Sequence, residues 1–275
     1  MALGGGEPTV LPDFPELLAA IRAEGMVPNV TTNGTVRSDT VVRALAEHAG
    51  VVHLSADRPD LLDAARGEGV SARVHETARV FRTAGVRLGV NLLLTPDNVH
   101  DICRSLQTIL DLDVQAVTFL RPKGAWAAQH WPDFPGEDDL TRLADDLRSF
   151  LESRPPLRLY VDTALRGEWA RCGLLADPEP EVLGCGGGQR HVAVTPEGDV
   201  YPCSHQHRPA YRMGNLLTDD LEQVWAAGPG WAGRQRYLRD CNGVRCPCQA
   251  EPGGKGSLFP SLARRPGVSL VGASG

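Results

Sequence analysis

Five of the seven cysteines of this chain lie in its last third, and their spacing is typical of a metal site. Cys185 is followed by twelve residues, then Gly198, four more residues and Cys203. A second group follows after a gap and consists of Cys241, Cys246 and Cys248. Four thiolates suit zinc or an iron–sulfur cluster. Structural zinc sites usually contain Cys-x2-Cys knuckles, which this sequence lacks, but spacing alone leaves both metals open.

The residues around Gly198 predict a β-hairpin. Residues 191–195 and 199–202 are typical of two short strands, and Pro196-Glu197-Gly198 suits a type I turn with a bulge. The hairpin reverses the chain and returns Cys203 to the loop that carries Cys185. Two thiolates placed in this way make half of a tetrahedral metal site.

The other half of the site must come from the late cysteine group, which offers three thiols for two places. We favour Cys246 and Cys248 because they are closest together in the sequence, with Cys241 as the alternative. Cys172 is expected to be structural, unless it takes part in a second, incomplete site. Cys103 lies on the apolar stripe of a predicted helix, where a free cysteine behaves as a small hydrophobe.

Two pairs of aromatic and imidazole side chains are further candidates. His205 and His207 follow Cys203 and could tune or bind a cluster, but we expect them to be solvated loop residues. His130 and Trp131 lie in a long loop rich in Trp, Pro and His. A substrate channel and a plain surface loop are equally good interpretations of that pair.

The first 125 residues repeat a unit of amphipathic helix, glycine and short apolar strand. Asp13 and Ser38 are predicted to cap the first two helices, and the first helix is predicted to bury Leu17, Leu18 and Ile21. Strands are predicted at 27–31, 51–54, 86–94 and 114–120, with a later one at 157–161. This alternation predicts βαβ units and a parallel sheet, and strands this apolar are typical of burial on both faces.

Polar residues stand where the predicted strands end. In parallel α/β barrels, ligands bind at the C-terminal ends of the strands. Any one of these positions suits an ordinary turn, but a shared ligand site explains the set better. The positions are Gly4 to Pro8, Thr32-Asn33-Gly34, Ser55-Ala56-Asp57, Asn91 and Arg121-Pro122-Lys123.

Gly5-Gly6-Glu7-Pro8, a helix, Thr32-Asn33-Gly34 and Ser55-Ala56-Asp57 resemble the barrel of a radical S-adenosylmethionine (SAM) enzyme, entered at its second strand. The resemblance implies that the Gly-Gly-Glu turn holds the amino group of SAM. It implies also that the strand-end Asn and Ser contact the carboxylate or the ribose. By matching position, these roles fall on Gly5, Gly6, Glu7, Asn33 and Ser55, with Asn91 and Arg121 as further candidates for ribose and carboxylate contacts.

The cysteine region resembles the SPASM or twitch extension of radical SAM enzymes, which carries auxiliary [4Fe-4S] clusters. The resemblance rests on Cys-x12-Gly-x4-Cys, Met213-Gly214-Asn215-Leu216 and the late cysteines. The chain has fewer cysteines than the two-cluster pattern, so one auxiliary cluster is implied. The implied α/β fold is a partial (βα) barrel of parallel strands without its first strand at 1–155, followed by a small cysteine-rich α+β domain at 156–250 and a mobile tail at 251–275.

The resemblance further implies an oxidoreductase or maturase that modifies a peptide or protein. In the family, a [4Fe-4S] cluster on Cys-x3-Cys-x2-Cys splits SAM into methionine and a deoxyadenosyl radical, with electrons from a reductant such as ferredoxin or flavodoxin. The present sequence has no such triplet, and its first cysteine is Cys103. We therefore expect an N-terminally truncated chain that is inactive as given. The alternative is a non-catalytic metal-binding module with zinc or a single cluster.

The bulk composition excludes several other classes of protein. The chain has 28 basic and 34 acidic residues, a net charge of -6, which argues against binding to nucleic acid. No run of 18 apolar residues predicts a membrane span, and no signal peptide pattern stands at the start. Seven cysteines without a secretory signal suggest a reducing cytoplasm.

Overall fold

The largest element is a parallel sheet of six strands in the order β1-β2-β3-β4-β5-β6. The computed structural model describes residues 1–123, 130–131, 134–153, 155–162, 165, 169, 187–226 and 230–240. The strands are β1 (Ala2–Leu3), β2 (Asn29–Thr32), β3 (Val52–Ser55), β4 (Leu88–Leu93), β5 (Ala116–Leu120) and β6 (Arg158–Val161). Every neighbouring pair is parallel, which confirms the predicted α/β fold.

Helices connect these strands. They are α1 (Phe14–Ala23), α2 (Asp39–His48), α3 (Pro59–Arg66), α4 (Val70–Thr83), α5 (Ile102–Leu110) and α6 (Glu137–Glu152). Ser38 caps α2 as predicted, since its hydroxyl accepts the Val41 N–H at 3.4 Å. Two details were wrong. Asp13 makes no side-chain cap bond to α1, and Leu17 is 37% exposed because α1 turns Phe14, Leu18 and Ile21, but not Leu17, into the core.

The strands are not buried equally on both faces, contrary to the sequence expectation. Residues in register point to the same side of a parallel sheet, and successive residues point to opposite sides. The face that includes Leu54, Val90 and Val117 is completely covered by helices. The opposite face carries mostly polar or small residues that remain half-exposed. The sheet therefore has one apolar core face and one open face that ends at the rim with the predicted site residues.

A second, smaller sheet follows the first. Its strands are β7 (Ala193–Val194), β8 (Asp199–Tyr201) and β9 (Gly214–Asn215), which pair antiparallel in that order. The hairpin of β7 and β8 is confirmed, while β9 was not predicted because two residues are too short for a periodic signal. Helices α7 (Leu221–Ala226) and α8 (Gly230–Asp240) pack beside it.

The six-stranded sheet continues past residue 155, because β6 pairs with β5 in register. The division of the chain into domains stays a prediction. Within the described residues, no helix has the length and apolar character needed to cross a membrane.

Candidate functional site

The Gly-Gly-Glu turn is held to the next strand by the carboxylate of Glu7. One carboxylate oxygen accepts the backbone N–H and hydroxyl of Thr9 and, at 2.7 Å, the hydroxyl of Thr32. The other oxygen accepts the backbone N–H of Asn33 at 2.6 Å. Both threonines are buried, so this cluster is shielded from water. Glu7 therefore fixes the turn by its side chain, and the backbone of the turn is the part that can meet a ligand.

The glycines of this turn leave space above the strand ends. Gly5 has a φ of +114°, and a Cβ built on Gly5 or Gly6 meets no described atom within 4 Å. The positive φ favours glycine. Gly4 lies closer to the sheet, because a Cβ built on it would be 3.9 Å from the Thr31 Cβ. A ligand can thus approach the backbone of Gly5 and Gly6 without meeting side chains.

The Thr-Asn-Gly turn after β2 is held in place by a hydrogen bond from α4. The carbonyl of Gly34 accepts the buried hydroxyl of Thr77 at 2.7 Å. Gly34 has a φ of +73°, and a Cβ there lies 3.3 Å from Leu54 and Thr77 atoms. The side chain of Asn33 accepts the Thr35 N–H at 2.9 Å. This geometry holds Asn33 at the rim beside the Glu7 carboxylate.

A polar row crosses the open face of the sheet one strand after another. Ser55 is in register with Asn91, Asn91 with Thr118, and Thr118 with Tyr160. All four are half-exposed, and adjacent strands lie about 4.8 Å apart. Asn91 also donates to the Thr31 hydroxyl at 3.3 Å. The sheet thus places the predicted residues Ser55 and Asn91 side by side.

Behind this row, the ends of β3 and β4 are locked to α5 by Asp57. Its carboxylate accepts the Ser105 hydroxyl and the Asn98 amide, both at 2.7 Å. Asn98 also accepts the Thr95 N–H at 2.8 Å and donates to the Leu93 carbonyl at 2.8 Å. Asn98 and Ser105 are completely buried. Asp57 therefore faces the core, and among the polar residues of this strand end Ser55 faces the open side.

The next strand ends carry charge. Lys123, three residues past β5, pairs with Asp162, which directly follows β6. Their side chains are only 15% and 9% exposed. Arg121 is half-buried on the same connection. The open face therefore ends in a partly dehydrated ion pair on the side away from the Gly-Gly-Glu turn.

One smaller feature of the open face is the contact between His53 and Gly89. A Cβ on Gly89 falls 2.8 Å from the imidazole Cδ2, so only glycine lets the ring lie against β4. Burial lowers the pKa of His53. The imidazole is therefore neutral at physiological pH.

Cys203 lies at the end of the hairpin, where the sequence places a metal ligand. Its side chain is 6% exposed and packs with Tyr201, Tyr211 and Tyr237. The sulfur accepts the backbone N–H of His205 at 3.4 Å. A buried sulfur that accepts an N–H fits a cluster ligand, because such bonds stabilise the thiolate.

The Gly198 turn is shaped by the side chain of Asn215 on β9. Asn215 donates to the Glu197 carbonyl at 2.8 Å and to the Asp199 carboxylate at 2.9 Å. A Cβ on Gly198, where φ is +82°, would lie 2.8 Å from the Asn215 Oδ1. Arg212 donates to the same Asp199 oxygen at 2.7 Å, and both bonds lower the pKa of Asp199. The side chain of Asn215 thus occupies the space that a side chain at position 198 would need, so the turn requires glycine there.

Four of the five predicted cluster ligands lie outside the described residues, as does the alternative Cys172. Across 1–123, 187–226 and the other described ranges, no group of three His, Cys, Asp or Glu side chains could hold a metal. The ligands outside those ranges are Cys185, Cys241, Cys246 and Cys248.

The other singled-out side chains have ordinary surroundings. Cys103 packs against the core and donates to the Asp146 carbonyl at 3.4 Å, and burial raises the pKa of its thiol. His207 stacks on Tyr201 with ring centroids 4.9 Å apart, and His205 is exposed. Cys103 is thus a packing residue, as expected.

Sequence reasoning missed Thr31, Thr118 and Tyr160, which share the open face with Ser55 and Asn91. The signal was present as polar residues at alternate positions of otherwise apolar strands. It was overlooked because these strands were interpreted as buried on both faces. It also missed Thr9, and it placed Thr32 at the strand end without predicting its hydrogen bond to Glu7, which lies 25 residues away in the sequence.

Two protein-family models match the chain, and they coincide with the two regions described above. The model of the radical SAM superfamily matches residues 1–109, which include the Gly-Gly-Glu turn and strands β1 to β4. The model of SPASM, an iron-sulfur cluster-binding domain, matches residues 185–247, which include the hairpin and Cys203.

Among curated proteins, the chain is similar to PqqA peptide cyclases. It is 27% identical to the protein from Streptomyces rochei over 298 residues, covering 100% of this chain and 78% of that one. The protein from Xanthomonas euvesicatoria pv. vesicatoria (strain 85-10) is 25% identical over 286 residues, covering 95% of this chain and 74% of that one.

Solved structures show the same fold. The chain resembles anSMEcpe with bound AdoMet with a TM-score of 0.67 and 18% identity, covering 92% of this chain and 73% of that one. It resembles Streptococcus suis SuiB bound to S-adenosylmethionine with a TM-score of 0.62 and 20% identity, covering 84% of this chain and 54% of that one. The chain therefore spans little more than half of SuiB. From these matches and the site geometry, the chain is a radical SAM protein with a SPASM iron–sulfur cluster-binding domain.

Proposed function

We propose that this protein modifies a peptide or protein by radical hydrogen abstraction. The observation that carries the proposal is the coincidence of each family match with a prepared site: a Glu7-anchored open turn beside a polar row, and a buried Cys203 sulfur. The curated relatives are named for a peptide substrate, and one SuiB structure is described as bound to its precursor peptide. Those names support a peptide as the substrate here.

The SAM site is proposed at the strand ends. The backbone of Gly5 and Gly6 receives the amino group, since the Glu7 side chain is already engaged with β2. Asn33 and Ser55 contact the carboxylate or ribose from the rim, and the amide of Asn91 completes the ribose side. Arg121 supplies positive charge for the carboxylate. The chemistry that SAM supplies when bound beside a reduced cluster is a deoxyadenosyl radical that removes hydrogen from the substrate.

The auxiliary cluster is proposed to be a [4Fe-4S] cluster at the hairpin. Cys203 is its proposed ligand among the described residues, and Cys185, which precedes β7 in the sequence, is proposed as the second. Cys246 and Cys248 are the favoured remaining ligands, with Cys241 as the alternative. We further propose a cytoplasmic enzyme that receives electrons from ferredoxin or flavodoxin.

The proposed SAM site is tested by Glu7→Gln. In glutamine an NH2 group replaces one carboxylate oxygen. That group cannot accept the hydrogen bond from Thr32 or from Asn33, so the turn loses a hydrogen bond to β2. We expect SAM affinity, measured by equilibrium dialysis, to fall about tenfold, which corresponds to one hydrogen bond. Glu16→Gln in the first turn of α1 is the matched control and should bind SAM like the wild type. Equal affinity of Glu7→Gln and wild type would contradict the assignment.

The proposed reaction is tested with protein from the complete reading frame of the gene. The protein is reconstituted anaerobically and mixed with SAM, dithionite and the short peptides encoded beside the gene. Mass spectrometry should show 5′-deoxyadenosine together with a peptide product that has lost hydrogen. If a preparation with full cluster content yields 5′-deoxyadenosine but no altered peptide, the proposal is overturned for those peptides. If it yields no 5′-deoxyadenosine, the proposed reaction class is overturned.

A further inference from the structure

Three segments of the cysteine region meet at one side chain, that of Arg234 on α8. Its Nε donates to the carbonyl of Gly188, and its Nη1 donates to the carbonyl of Trp225 at 3.1 Å. The guanidinium carbon lies 4.8 Å from the ring centroid of Trp225 and 4.9 Å from that of Trp231. The arginine is therefore stacked between two indoles while it bonds two backbone carbonyls.

One of those carbonyls belongs to the loop that follows Cys185. Gly188 is three residues beyond that cysteine, has a φ of +70°, and donates its N–H to the His191 carbonyl at 2.9 Å. A Cβ built on Gly188 lies 3.0 Å from the Cβ of Pro202, the residue before Cys203. The loop backbone is thus pressed against the arm of the hairpin that ends in Cys203.

Close packing of helix α8 against the rest of the region fixes the position of the Arg234 backbone. A Cβ on Gly233 would lie 2.4 Å from the Arg212 carbonyl oxygen, which shows how closely the helix backbone approaches the segment before β9. One turn later, Tyr237 is buried against Tyr211, with ring centroids 5.6 Å apart, and packs in the same cluster as Cys203. Gly233 and Tyr237, which flank Arg234 on the helix, therefore contact the segment before β9 and the cluster around Cys203.

We propose that Arg234 is a positioning residue of the auxiliary cluster: it holds the loop at Gly188, three residues after Cys185 in the sequence, against the hairpin arm that ends in Cys203, and so supports the ligand set of that cluster. This inference rests on the proposed cluster. Residues that orient metal ligands typically change metal affinity by about 10- to 100-fold when they are replaced. We expect lysine to fail in this role, because its ammonium lacks the forked donors with which one guanidinium reaches two carbonyls.

The test is the rate at which a chelator removes iron from the reconstituted chain. Arg234→Met and Arg234→Lys should both lose iron to EDTA at least about tenfold faster than the wild type. Trp231→Leu is the matched control: it removes one stacking ring from the exposed side of α8 but leaves both carbonyl bonds, so its iron should be retained. Hydrogen exchange at Val200 and Met213, the buried pair of β8 and the segment before β9, is recorded on the cluster-loaded proteins before the chelator is added.

The outcomes separate positioning from general destabilisation. Fast iron loss with unchanged protection at Val200 and Met213 supports the inference. Wild-type iron retention in Arg234→Met overturns it. Iron loss accompanied by lost protection, or an equal loss in Trp231→Leu, also overturns it, because the arginine would then act only on the folding of the region. A wild type that binds no iron–sulfur cluster would refute the proposed function itself, and the inference with it.

Discussion

The two sites of this protein are positioned in different ways. At the proposed SAM site, the residues lie on one continuous parallel sheet, and register sets the spacing of Ser55, Asn91 and Thr118. At the hairpin, a sheet with strands of two or three residues and two small apolar clusters carries a single described cysteine. The barrel has a large core of its own, while the cysteine region depends on glycines, polar contacts and Arg234.

This difference indicates where the folding free energy of each region originates. The barrel core buries more than thirty apolar side chains in one cluster, and burial of this kind is the main favourable term in folding. Among the described residues, the hairpin clusters contain four and three buried residues. Small domains with so little core usually need a metal or disulfides, and metal binding contributes folding free energy directly. The SAM site is therefore expected to be preformed and the cluster site to be completed by its cluster.

The largest expected effect comes from removing a cluster ligand. Cys203→Ala should abolish the bound iron and expose the amides of β8 to hydrogen exchange, because the region loses the free energy of metal binding. The amides of β3 and β4 should stay protected. Iron analysis and hydrogen exchange by mass spectrometry measure both effects. Cys103→Ala, a cysteine that packs in the barrel, is the control and should keep its iron; full iron content in Cys203→Ala would contradict the comparison.

The next largest effect is expected in the barrel, where Asp57 is bonded to buried partners. Asp57→Ala leaves the Ser105 hydroxyl without its acceptor and the Asn98 amide with only the Leu93 carbonyl, and it should lower the free energy of unfolding by about 3 kcal/mol. The measurement is urea unfolding followed by circular dichroism. Asp111→Asn, an exposed carboxylate after α5, should stay within about 0.5 kcal/mol of the wild type. Equal stability of Asp57→Ala and wild type would show that the barrel rim is not held by this network.

A matched pair of glycines compares the two regions directly. Gly198 and Gly85 both have a φ of +82°, but a Cβ meets Asn215 and Leu217 at 2.8 Å only at Gly198, and no described atom within 4 Å at Gly85. Gly85→Ala should therefore cost about 1 kcal/mol of backbone strain. Gly198→Ala should cost about 1 to 3 kcal/mol more through the steric overlap. Thermal unfolding of both variants tests this, and equal losses would mean that the hairpin yields to the added methyl group.

The smallest effect is a pH dependence that arises from His53 in the barrel. Burial lowers its pKa below the ordinary value of 6.5, so folded and unfolded chains are both neutral at this residue above that pH. Below pH 6.5 the unfolded chain binds a proton that the folded chain does not, and stability falls until the folded pKa is passed.

The contribution of His53 is isolated by His53→Asn. We expect the unfolding free energy of this variant to fall less steeply than that of the wild type between pH 6.5 and 5, measured by urea titration. The remaining slope reports His205 and the other titrating groups. Identical slopes would show that water on the open face of the sheet solvates His53 well enough for its imidazole to be protonated in the folded chain.

The sequence predicted the parts of the molecule that depend on local periodicity and short motifs. Ser38 caps α2 as predicted, and Leu18 and Ile21 of α1 are buried as predicted. The hairpin around Gly198 also followed from its turn residues. By contrast, some hydrogen bonds join residues that lie far apart in the sequence. These are the bonds made by Glu7, by Asp57 and by Arg234. No local pattern encodes such contacts, so only the fold reveals them.

The central claim is that the cysteine region holds an iron–sulfur cluster beside a preformed SAM barrel. Its most direct test is iron, zinc and acid-labile sulfide analysis of the chain after anaerobic reconstitution. We predict about four irons and about four sulfides per chain, the content of one [4Fe-4S] cluster. One zinc per chain without sulfide would contradict the claim.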